Sequence, residues 1–136
     1  MLEKLPRDLQ EVIKEALEGE AELSYNKPDK YNSFVADVPY ATSISASSRT
    51  FVGGDAVKEA SVKVAADNDG ERNRELEWIA AECEGDMAYI LFRSRVETHS
   101  VSRNEWVAFG WVITIVFRKL DGQWKIVHRQ NMRLPQ

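Results

Sequence analysis

The sequence predicts an α+β fold, with helices in the first half and a meander of long strands in the second. Three observations carry this. Apolar residues recur at helical spacing in two early segments, four long strand-like runs follow Gly70, and the pair Asp121-Gly122 is a strong hairpin signal. Helices first and strands afterwards point to α+β rather than to a parallel α/β sheet.

The segment "PRDLQEVIKEALEG" is the first predicted helix. Pro6 suits its first position, Asp8 suits the positive end of its dipole, and Gly19 suits its stop. Leu9, Val12, Ile13, Ala16 and Leu17 form its apolar stripe. "NKPDKYNSFVAD" predicts a short second helix with Tyr31, Phe34 and Val35 facing inward. "VPYATSIS" reads as a strand, and "SRTFVGG" as its partner after a serine-rich turn. "AVKEASVKVAAD", introduced by Gly54-Asp55, predicts a third helix that "NDG" ends.

The long strands are "RNRELEWIAAECE", "MAYILFRSRVETHS", "EWVAFGWVITIVFRK" and "QWKIVHRQNMRL". A two-residue Asp121-Gly122 turn sets Leu120 opposite Gln123, Phe117 opposite Ile126, His128 opposite Ile115, Gln130 opposite Ile113 and Met132 opposite Trp111. Cross-strand partners share a face. Phe109, Trp111, Ile113, Ile115, Phe117, Trp124, Ile126, His128, Gln130 and Met132 are therefore expected on the inner face. A three-residue turn shifts that register by one. In the preceding pair, Leu76, Trp78, Tyr89 and Leu91 are expected on one face, and Ile79, Ala81, Ile90 and Phe92 on the other. Both faces of these strands are rich in apolar residues, so a partner subunit or strong curvature is expected to cover the outer one.

The totals exclude several classes. The 136 residues predict one domain, 1–136. A net charge of -4 argues against nucleic acid, whose phosphates need a basic stripe. No apolar run is long enough for a membrane span, and the charged start "MLEKLPRDLQEV" predicts no secretory leader. Cys83 is the single cysteine, which suits a reducing cytoplasm. With two distant histidines and one cysteine, neither a metal site nor a redox cofactor is expected.

Several segments in order resemble a known superfamily: "SFVADVPY", "FVGGDAV", "GDMAYI" and "VFRKLDGQWKIVHRQNM". The chain is similar to nuclear transport factor two-like proteins, in their SnoaL-like and ketosteroid-isomerase-like branch. The resemblance implies a cone: a strongly curved antiparallel sheet wrapped over about three helices, with a pocket at the open end. It also implies a homodimer and a small apolar or ring-containing ligand. Members include isomerases, cyclases, dehydratases and hydrolases, and others are binding or dimerisation modules. Aligned on the "ADD" motif of the isomerases, this chain has Val38 for the second acidic residue and Ser43 at the general-base position. A serine is no base unaided, which argues against that chemistry.

The expected ligand-binding residues are Tyr31, Phe34, Tyr40, Phe109, Trp111, His128, Gln130 and Met132. Aromatic rings supply apolar contact area with a polar handle, while His128 supplies an imidazole that can transfer a proton or bind ligand. His128 is the one weak catalytic candidate. Each has a plainer alternative: a core histidine bonded to a neighbour, core aromatics, or tyrosines at a helix–sheet boundary. The function expected is a small-molecule binding protein with an apolar pocket. The alternatives are an isomerase, cyclase or dehydratase-like enzyme on an apolar ring compound, and a non-catalytic dimerisation module.

Overall fold

The computed structural model describes residues 1–135, in which a short 3-10 turn at Leu2–Lys4 precedes helices α1 (Arg7–Leu23), α2 (Asp29–Asn32) and α3 (Gly54–Ala66). Strands β1 (Thr42–Ile44), β2 (Thr50–Val52), β3 (Asn68–Glu84), β4 (Met87–Ser100), β5 (Glu105–Leu120) and β6 (Gln123–Arg133) make a sheet in the order β2-β1-β6-β5-β4-β3. The class is α+β, as predicted. The sheet is mixed rather than wholly antiparallel, because β1 pairs with β6 in parallel.

Two helices differ from expectation for local reasons. α1 runs through Gly19 to Leu23, and a left-handed Asn26 (φ 59°) follows its end. Gly19 instead lets α2 come close: a Cβ there would stand 2.6 Å from the Tyr31 backbone nitrogen. α2 is only one turn long, because the residues after it pair with β6. The Ile126 amide donates to the Phe34 carbonyl at 2.7 Å, and the Ala36 amide donates to the Ile126 carbonyl at 2.9 Å.

The core lies between α1 and one face of the sheet. Leu9 and Ile13 meet Ile90, Phe92, Ile113, Ile115, Phe117 and Ile126, none more than 1% exposed. Each such side chain contributes about 1.5–3 kcal/mol through burial.

The last hairpin begins as predicted. Asp121 (φ 50°) and Gly122 (φ 77°) make the turn, and Leu120, Lys119 and Phe117 stand opposite Gln123, Trp124 and Ile126. Then the register slips. Val116 pairs with His128, leaving Val127 as the extra residue of a β-bulge. The slip falls where β6 passes from one neighbour to the next: Val35 bridges Ile126, and Thr42–Ile44 pair with His128 to Gln130. Past it, every β6 side chain is on the face opposite to the one expected. A second bulge, between Trp78 and Ala80, brings Trp78 opposite Phe92 instead of grouping it with Tyr89 and Leu91. Among the described residues, no helix is long and apolar enough to cross a membrane.

Candidate functional site

The Val127 bulge decides which β6 side chains meet the helices. Arg129 pairs with Ile115, Asn131 with Ile113 and Arg133 with Trp111, so these three share the core face. His128, Gln130 and Met132 pair with Val116, Thr114 and Val112 on the other face. A run of polar side chains, rather than the expected His128-Gln130 pair, therefore lines the inner side of β6.

Arg129 anchors this run. Its guanidinium ion-pairs with Glu20 of α1, donates to the Tyr31 hydroxyl at 3.3 Å and donates through Nε to Asn131 Oδ1 at 2.9 Å. The two charged side chains are only 14% and 11% exposed. Burial works against the charge on Arg129, but Glu20 and Tyr31 more than offset it and hold the guanidinium protonated. Burial pushes the Tyr31 phenol above its ordinary value despite the nearby arginine, so it stays protonated too. Glu20 brings a carboxylate to the interior, as does Glu71 of β3, which pairs with Arg74. Glu20 is engaged by Arg129 and so is not a free general base.

Beyond this cluster, towards the end of the sheet away from the Asp121-Gly122 turn, the inner face is aromatic. Phe109 and Trp111 stack with centroids 5.1 Å apart and planes 14° from parallel. The Arg133 guanidinium carbon lies 5.9 Å from the Trp111 ring centroid. A half-open groove of about 960 Å³ crosses this end, lined among others by Val96, Thr98, Ser100, Val107, Phe109 and Arg133, with Arg95, Gly110 and Leu134 along it. Its acids include Asp67, which accepts from the Ser100 hydroxyl at 2.7 Å and the Ser102 amide at 2.8 Å. Glu97 is engaged by Arg72 and Asn73.

Of the eight residues expected to bind ligand, Phe109 lines this groove, and Trp111 stacks against it. Tyr31 is 2% exposed and tied into the Arg129 cluster. Phe34 is partly buried against the core. Tyr40 is 48% exposed, with Arg118 bonded to its hydroxyl at 3.3 Å. His128 Nδ1 lies 2.8 Å from the Thr42 hydroxyl, a bond that ties β1 to β6. Gln130 is partly buried and Met132 is 59% exposed. Glu20 was not anticipated, and Arg129, Asn131 and Arg133 were expected on the outer face of the sheet. Their signal in the sequence is the doublet Ile126-Val127, which breaks strict alternation just before them.

The model of the SnoaL-like domain family matches residues 13–131. No curated protein matches the sequence. Among solved structures, the chain is similar to a nuclear transport factor 2-like superfamily protein from Salmonella enterica subsp. enterica serovar Typhimurium str. LT2. That likeness has 14% identity and TM-score 0.75 over 94% of this chain and 92% of the other. It is also similar to a ketosteroid isomerase-like protein from Erwinia carotovora atroseptica SCRI1043, with 11% identity and TM-score 0.76 over 97% of this chain and 100% of the other. A protein of unknown function from Shewanella oneidensis MR-1, called NTF-2 like, shares 16% identity at TM-score 0.69, over 92% of this chain and 96% of the other. At these identities the likeness is one of fold.

Proposed function

This chain belongs to the SnoaL-like family, and we propose that it is a small-molecule binding protein whose ligand carries a ring and lies in the groove beside Phe109 and Trp111. The stacked aromatic pair is the observation that carries this reading. A groove of about 960 Å³ is the size that drug-sized ligands occupy, and aromatic walls with a few polar groups are how such ligands are held. Binding without an assigned reaction is favoured over isomerase, cyclase or dehydratase-like chemistry. The interior carboxylates of Glu20 and Glu71 are engaged by Arg129 and Arg74, and β1 offers Ser43 where the isomerases place an acid. The protein is proposed to work in the cytoplasm as a homodimer built on the outer face of the sheet, where Tyr89, Leu91, Val112, Val116 and Met132 gather.

Calorimetric titration with 2-naphthylmethanol, a neutral ring compound, tests the binding reading. Saturable one-site binding that Phe109→Ala weakens, with the circular dichroism spectrum unchanged, is the expected result. No heat of binding from either this alcohol or its carboxylate analogue overturns it.

A further inference from the structure

We propose that the ligand of this groove is a planar monoanion, a carboxylate attached to a ring, with Arg133 as its counter-ion and the Phe109–Trp111 pair as its platform. The inference rests on the binding reading above and adds the ligand's charge. Arg72, Arg74, Arg93 and Arg103, all towards this end of the sheet, each meet a carboxylate. Arg129, four residues before Arg133 on the same face, is neutralised by Glu20. Among the described residues, Arg133 has no carboxylate at ion-pair distance, although it lines the groove and lies near the Trp111 ring. An arginine placed against an aromatic face keeps the edge of its guanidinium for a carboxylate, which it can hold through two parallel hydrogen bonds.

The surroundings set the size of the charge. Asp67 and Glu97 also line the groove, and their negative charges are engaged by serines and by Arg72 with Asn73. Glu75 stands opposite Arg95 in the register without an ion pair between them. Arg103 and Arg95 are the other cations along the groove: Arg103 pairs with Glu105, and Arg95 lies over Gly110, where a Cβ would be 3.2 Å from its Nη1, on the strand face opposite to Phe109 and Trp111. A dianion such as a phosphate would meet three acids along the groove, whereas one negative charge is matched by Arg133. Phe109, which lines the groove and stacks on the Trp111 ring on the face that Arg133 shares, gives the rest of the ligand a flat apolar surface.

The test compares 2-naphthoate with 2-naphthylmethanol, which share the ring and differ in charge, by calorimetric titration of the full chain. Wild type is expected to bind the carboxylate about tenfold more tightly, as a charge-assisted hydrogen bond predicts. That preference should shrink in about 0.5 M salt. Arg133→Gln should bring the carboxylate's affinity down to the alcohol's, and Arg133→Lys should keep part of the preference, because the charge remains and the fork is lost. Equal affinities in wild type, or a preference that survives Arg133→Gln, overturn the anion inference and leave the ring-binding reading standing. Failure of both compounds to bind overturns both.

Discussion

Arg129 of β6 reaches across the interior to the carboxylate of Glu20 on α1. That contact depends on the Val127 bulge, because in an unbroken ladder Arg129 would face away from the helix. The pair joins sheet to helix at the point where apolar core gives way to polar lining. Charges this little exposed lose most of their hydration, so the pair fixes geometry more than it adds stability.

Removing one partner should therefore be far worse than removing both. Arg129→Met leaves the Glu20 carboxylate buried without a counter-charge and should cost about 3–5 kcal/mol. Glu20→Leu combined with Arg129→Met should recover most of that loss. Urea unfolding of the two single variants and the double variant measures the difference. A double variant as unstable as the sum of the singles would show that the two side chains are not coupled, and so would remove the pair.

His128 should behave as a structural residue. His128→Ala removes its bond to the Thr42 hydroxyl and should cost about 1 kcal/mol. Thr42→Val should cost about the same, and the double variant little more, since both remove one interaction. Binding of naphthoate should be unchanged in all three. A loss of affinity in His128→Ala with full stability would return this histidine to the ligand site.

Acid should loosen the tie between α3 and the turn after β4. The Ser100 hydroxyl, and then the Ser102 amide, hold the Asp67 carboxyl below its ordinary value of 3.8. A carboxyl whose folded value is depressed contributes stability that is present above its unfolded value and is lost as pH falls through the folded one. Unfolding midpoints should therefore drop between about pH 5 and about pH 3, and less steeply in Asp67→Asn than in wild type. Parallel slopes in the two proteins would remove Asp67 from the acid response.

What was legible in the sequence was what depends on near neighbours. The α1 stripe Leu9, Ile13 and Ala16 repeats within two turns, and Asp121-Gly122 sets a hairpin from two residues. Both are found as expected, and the pairing from Leu120 to Phe117 follows from the turn. The face of Arg129, Asn131 and Arg133 depends instead on Val35 and on Thr42–Ile44, which reach β6 from some ninety residues earlier and split its edge at Val127. Local pattern cannot supply that meeting. Gly19 is a similar case: it reads as a helix stop, but its lack of a side chain serves the approach of α2.

The outer face of the sheet makes the last prediction. With the register corrected, Tyr89, Val116 and His128 form one row across β4, β5 and β6, and Leu91, Thr114 and Gln130 form the next. Val112 and Met132 stand beyond them, opposite each other. Tyr89 is 37% exposed, Met132 59%, and Met87 at the start of β4 46%. Apolar surface gathers in these adjoining rows, with Arg93 beside Val112 paired to Glu77, and a second copy is expected to cover it. At micromolar concentration the protein should sediment at twice its 15.5 kDa chain mass. Val112→Glu should give monomers, because a carboxylate cannot be buried against the same patch of a second copy. Val64→Glu serves as the control, since Val64 is 62% exposed on α3 and lies outside those rows, and it should leave the dimer intact. A wild-type protein found only as monomer would remove the dimer. A Val112→Glu dimer of full strength would move the contact to another face.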